Sequence, residues 1–87
     1  MIIKLFGGLR QKAGGAEQES TGATLREALA ALCRENEPLR KAIFDGDTLQ
    51  PYVRVMVNGR DCELLQGLDT AVSHQDQIAV FPPIAGG

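Results

Sequence analysis

YVRVMVNGRDCE, running from Tyr52 to Glu63, is the stretch that decides the fold. Val53, Val55 and Val57 fall on one side of an extended chain and Tyr52, Arg54 and Met56 on the other, the period-two pattern of a half-buried strand. Asn58-Gly59 then supplies two neighbouring residues that tolerate positive φ, as a type I′ turn requires, and the chain returns through Asp61-Cys62-Glu63. The valine face of this hairpin has to be covered by something apolar.

The cover is written between Thr24 and Asn36. Thr24 and Glu27 form a capping box, and Leu25, Ala28, Leu29, Leu32 and Cys33 recur at helical spacing as one apolar stripe. Arg26, Glu27, Arg34 and Glu35 take the opposite side. Pro38 predicts a helix end near Asn36, and twelve residues give a rod about 18 Å long. Three further strands complete the reading. Ile2 to Phe6 alternates Ile3 and Leu5 with Lys4 and Phe6, Glu17 to Ser20 returns antiparallel to it, and Gln77 to Phe81 sets Ile78 and Val80 against Ala79 and Phe81. The segment LRQKA, bracketed by Gly7-Gly8 and Gly14-Gly15, reads as a loop with one helical turn. Leu39 to Phe44 reads as a second short helix, followed by a turn at Asp45-Gly46-Asp47. The expected class is α+β: a mixed sheet with one main helix packed on one face, the β-grasp arrangement, over residues 1–81, with an extended tail at 82–87.

Composition narrows the function. At 87 residues the chain holds one core and no room for an enclosed active site. Nine basic residues against eleven acidic ones give a net charge of −2, which argues against a nucleic-acid partner. Two cysteines suggest a reducing cytoplasm, and the opening MIIKLF run is too short for a signal-peptide core or a membrane span. His74 is the only histidine and has no ligand-spaced partners, so no metal site is expected. Cys33 belongs to the apolar stripe, while Cys62 follows the hairpin turn and is a candidate for exposure, with no neighbouring base to make it a nucleophile. The glycine pairs match neither a dinucleotide fingerprint nor a Walker loop.

The sequence ends FPPIAGG. Pro82-Pro83 cannot continue a ladder and favours an extended exit, from which six residues reach about 20 Å. Gly86 and Gly87 have no side chains, so they can thread a channel too narrow for other residues. The competing reading is an ordinary loose terminus.

Over nearly its whole length the chain resembles the molybdopterin synthase small subunits within the MoaD/ThiS type of ubiquitin-like sulfur carriers. The resemblance rests on Phe6-x-x-Leu9-Arg10-x-x-x-Gly14, Val57-Asn58-Gly59, Leu68-Asp69-Thr70 and above all Phe81-Pro82-Pro83-Ile84-Ala85-Gly86-Gly87. One departure is His74-Gln75-Asp76, where the family has a glycine at the middle position; it implies an uncomfortable turn at Gln75. The resemblance implies that a ubiquitin-activating-like adenylyltransferase uses ATP to adenylate Gly87. A sulfur donor protein then displaces AMP to leave a thiocarboxylate, with Gly86 giving access. It implies no cofactor bound by the chain itself. It further implies a heterotetramer with the large subunit of molybdopterin synthase, in which Pro82, Pro83, Ile84 and Ala85 lie along the partner's channel. Phe81, Phe6 and Met56 fall on the uncovered sheet face and are candidates for the docking patch, with Arg10 as a rim cation. Delivery of sulfur to tRNA, thiamine or an amino-acid pathway, conjugation to protein lysines, and a non-catalytic interaction module remain as alternatives.

Overall fold

Strand β1 (Ile2–Leu5) is an interior strand, paired antiparallel with β2 (Glu17–Glu19) on one side and parallel with β7 (Gln77–Phe81) on the other. The computed structural model describes residues 1–83. Strand β7 also pairs antiparallel with β5 (Arg54–Val57), and β5 with β6 (Arg60–Asp61), giving the five-stranded order β2-β1-β7-β5-β6. Helix α2 (Leu25–Leu32) covers one face, which makes this the β-grasp arrangement. Between β1 and β2 runs a six-residue helix, α1 (Gly8–Ala13), longer than the single turn expected and buried through Leu9.

The core follows the alternation. Ile3, Leu5, Val55, Val57, Ile78 and Val80 are buried on the covered face with Leu25, Ala28, Leu29 and Cys33 of α2. The capping box forms with a shift of one residue: Thr24 Oγ1 accepts from the Glu27 N–H at 3.2 Å, while Glu27 Oε1 accepts from the Ala23 N–H at 2.9 Å. The hairpin turn is as expected, with Asn58 at φ 52° and Gly59 at φ 84°.

Five expectations need correcting. Helix α2 ends at Leu32, because Asn36 is already the N-cap of a separate helix, α3 (Glu37–Ile43), accepting from the Leu39 N–H at 3.1 Å. Pro38 therefore opens a helix, where its missing N–H costs nothing, as well as closing one. The turn at Asp45-Gly46-Asp47 joins two strands too short to show a period, β3 (Phe44–Asp45) and β4 (Thr48–Leu49), in a small separate hairpin. Tyr52 is not in a strand: it sits at φ 70° with 83% of its surface exposed, and β5 starts two residues later. Cys62 is buried, not exposed, because the chain turns inward through a 3-10 turn at Cys62–Leu64 directly after β6. Gln75 carries no positive φ. Asp76 closes that turn instead, its Oδ2 accepting from the Ser73 N–H at 2.7 Å and its Oδ1 from Asn58 Nδ2 at 2.9 Å.

Topology now fixes what stands around the start of the tail. Since β1 and β7 are parallel, their C-terminal ends emerge together; since β5 is antiparallel to β7, its N-terminal end joins them, with Arg54 opposite Phe81.

Candidate docking site at the base of the tail

Phe6 and Phe81 stack at the foot of the tail, ring centroids 4.4 Å apart and planes 10° from parallel. Each follows the last inward-facing residue of a parallel strand, Leu5 of β1 and Val80 of β7, so both project from the face that α2 leaves open. The Phe6 N–H donates to the Val80 carbonyl at 3.2 Å and carries the ladder one residue past β1, which holds the two rings in register. Phe6 is 38% exposed and Phe81 half-buried, and neither belongs to the core. The segment 36–51 leaves Phe6 exposed: its apolar residues Leu39, Ile43 and Phe44 go into the core. Large aromatics left half-exposed as a pair supply area for a partner at little ordering cost.

Met56 lies on the same face, half-buried, opposite Ala79 and two positions along β5 from Arg54. It extends the apolar strip without joining the stack. Arg10 sits exposed on α1, its N–H donating to the Gly7 carbonyl at 3.2 Å, and no carboxylate among the described residues comes within ion-pair distance of it. Pro82 is half-buried against the β1–α1 loop and Pro83 is exposed. Ile84, Ala85, Gly86 and Gly87 lie outside the described residues.

Two residues at this place escaped the sequence reading. Arg54 stands beside Phe81 and forms a tight pair with Asp61, Nε and Nη2 donating to Oδ2 at 2.8 and 2.6 Å. Asp61 Oδ1 accepts the Glu63 N–H at 3.0 Å, and that bond, with the Arg54 guanidinium, outweighs burial and holds the carboxyl below its usual range. The strand alternation already placed Arg54 on the open face. Gly7, where an added methyl would collide with Pro82, had no signal beyond its neighbour Phe6, because only the parallel pairing of β1 and β7 brings residue 7 to residue 82. The thiols are unsuited to chemistry: burial pushes Cys33 from 9.0 up to about 11 despite nearby Arg40, and burial together with Asp61 and Glu63 raises Cys62.

The family model of the ThiS family matches residues 3–87. The chain belongs to the ThiS family. It is 37% identical over 65 residues to small archaeal modifier protein 3 of Haloferax volcanii, covering 75% of this chain and 71% of that one. Sulfur carrier protein CysO of Mycobacterium tuberculosis is 29% identical over 83 residues, covering 91% and 89%. A chain in the crystal structure of the Amycolatopsis orientalis BexX/CysO complex matches with a TM-score of 0.88 at 25% identity, covering 99% of this chain and 98% of that one. These relatives of the ThiS-family chain carry the names modifier and sulfur carrier; the finer expectation of a molybdopterin synthase subunit goes beyond them. No helix among the described residues is long and apolar enough to cross a membrane.

Proposed function

We propose that this chain is a sulfur carrier whose last glycine, Gly87, is the site of adenylation and then of a thiocarboxylate. A carboxylate is a poor electrophile. Adenylation by a partner enzyme with ATP supplies the leaving group, and a sulfur donor then displaces AMP as the new C–S bond forms. The sulfur becomes a nucleophile tethered to a folded handle. The chain contributes delivery and docking, and the partner's pocket contributes the acid–base groups. The observation that carries this reading is the half-exposed Phe6–Phe81 stack at the foot of a Pro-Pro-Ile-Ala-Gly-Gly tail: a gripping surface where a partner must hold the domain to take in its terminus.

For the acceptor, the Phe81-Pro82-Pro83 exit favours a pterin precursor held by the large subunit of molybdopterin synthase, in a heterotetramer with two copies of the tail inserted. Similarity to a small archaeal modifier protein favours a second reading, conjugation of Gly87 to protein lysines. The experiment is reconstitution of sulfur transfer with a synthase large subunit, using the full chain and a form lacking Gly87. Loss of transfer in the shortened, still folded chain supports the reading; transfer at the full rate overturns it. A ladder of high-mass conjugates on a denaturing gel selects the modifier reading.

A further inference from the structure

Gly7 stands between β1 and α1 at φ 58°, and a methyl group built on its Cα would lie 2.8 Å from Cγ of Pro82. Contacts in ordinary packing start at 3.4 Å. The other atom the methyl would approach is Pro82 Cδ at 3.6 Å, so the steric conflict falls on the proline ring, on top of the backbone strain that φ 58° imposes on any residue with a Cβ. That ring closes on the backbone nitrogen of residue 82, so beyond a change of pucker at Cγ it cannot swing aside as a flexible side chain does. Relief beyond that pucker change displaces the chain where it leaves β7. Immediately before this contact the Phe6–Phe81 stack and the Phe6 N–H bond to the Val80 carbonyl hold the end of β7 against the same loop.

We propose that Gly7 is a positioning residue for the transfer reaction: with Phe6 it clamps Pro82 and sets the direction in which the chain leaves the sheet. The inference rests on the sulfur-carrier reading of Gly87. Held extended in a partner's channel, the six residues from Pro82 to Gly87 span about 19 Å, so a small change of angle at Pro82 becomes a large displacement of the carboxylate. Gly7 touches neither substrate nor the reacting atoms and acts through Pro82. Its function is therefore separable from docking, which belongs to the exposed aromatic rings.

The test compares the wild-type chain with Gly7→Ala and Pro82→Ala in pyrophosphate exchange catalysed by an activating enzyme with ATP. It is accompanied by two-dimensional NMR of each free chain. The clamp requires an NOE between Gly7 Hα and Pro82 Hγ in the wild type, and movement of the Pro82 and Pro83 carbon shifts in Gly7→Ala while core shifts stay. Because misplacement by about 1 Å costs on the order of 10²-fold in rate, kcat should fall at least about tenfold in Gly7→Ala with KM held within about twofold. Pro82→Ala, which removes the ring and leaves Gly7 intact, should lower kcat in the same sense. A folded Gly7→Ala with wild-type kcat overturns the proposal. So does a rise in KM alone, which would make Gly7 a docking residue. Should Gly7→Ala fail to fold, full kcat in Pro82→Ala overturns it and a lowered kcat supports it. If no activating enzyme turns over even the wild type, the sulfur-carrier reading fails, and the NMR arm still decides whether Gly7 fixes the exit of the chain.

Discussion

Truncating Phe81 to alanine separates what that ring does for the fold from what it does for a partner. Phe81 is half-buried, lies outside the core and has the Phe6 ring as its chief aromatic neighbour at 4.4 Å. A stacked pair contributes about 0.5–1.5 kcal/mol beyond the area it buries. With the modest area added, Phe81→Ala should cost the free domain about 1–2 kcal/mol, well short of the 3–5 kcal/mol typical of a core phenylalanine. In a domain of this size that lowers Tm by roughly 4–15 °C and leaves the chain folded at 25 °C. Binding to the partner enzyme should weaken by about 1–3 kcal/mol, roughly 5- to 150-fold in Kd, if the ring is an anchor. Titration calorimetry against the partner reads the second quantity and thermal unfolding the first. Phe6→Ala and the double variant complete a cycle, in which the two rings should couple in stability because they touch. An unchanged Kd in a folded Phe81→Ala chain would refute the docking role. An affinity loss matched by the unfolded fraction alone would refute it equally.

Three further expectations concern the fold. Thr24→Ala removes the acceptor for the Glu27 N–H and should lower stability by about 1 kcal/mol; an unchanged urea midpoint would contradict it. Asp61 has its carboxyl held low by the Glu63 N–H and Arg54, so its stabilisation is present above the unfolded value near about 3.9 and is lost as pH falls through the folded value. Asp61→Asn should therefore cost more at pH 7 than at pH 2, and equal costs in urea titrations at both would contradict this. Cys33 keeps its proton up to about pH 11 in the fold, so its share of stability should decline as pH rises from 9 to 11. Its alkylation at pH 8 should proceed only through unfolding, and fast labelling of the native chain would show the thiol to be accessible.

Local patterns in the sequence read through to the structure wherever one residue's chemistry dictates the geometry. Thr24 starts α2, Asn58-Gly59 turns the β5–β6 hairpin and β7 occupies the expected Gln77–Phe81. What stayed hidden depends on competition or on distance. Asn36 could end one helix or begin another, and its side chain begins α3. The polar stretch after Cys62 gives no periodic signal, yet it holds two 3-10 turns, a buried Val72 whose N–H donates to the Ala23 carbonyl, and a buried Thr70 whose hydroxyl donates to the Gly67 carbonyl at 2.7 Å. At the site, alternation put Phe6, Met56 and Phe81 on the open face. It could not reveal that Phe6 and Phe81 touch, since that follows from the parallel pairing of β1 with β7. Gly7 was invisible for the same reason: its partner lies 75 residues away in a chain of 87.

The most direct test of the central claim is mass spectrometry of the intact chain and of its C-terminal peptide after incubation with an activating enzyme, ATP and a sulfur donor. The account predicts exchange of one oxygen for sulfur, confined to the peptide ending in Gly87. Localisation is required because oxidation of Met1 or Met56 adds nearly the same mass. A terminal peptide that remains a plain carboxylate, with enzymes that convert a control carrier in the same tube, would contradict it.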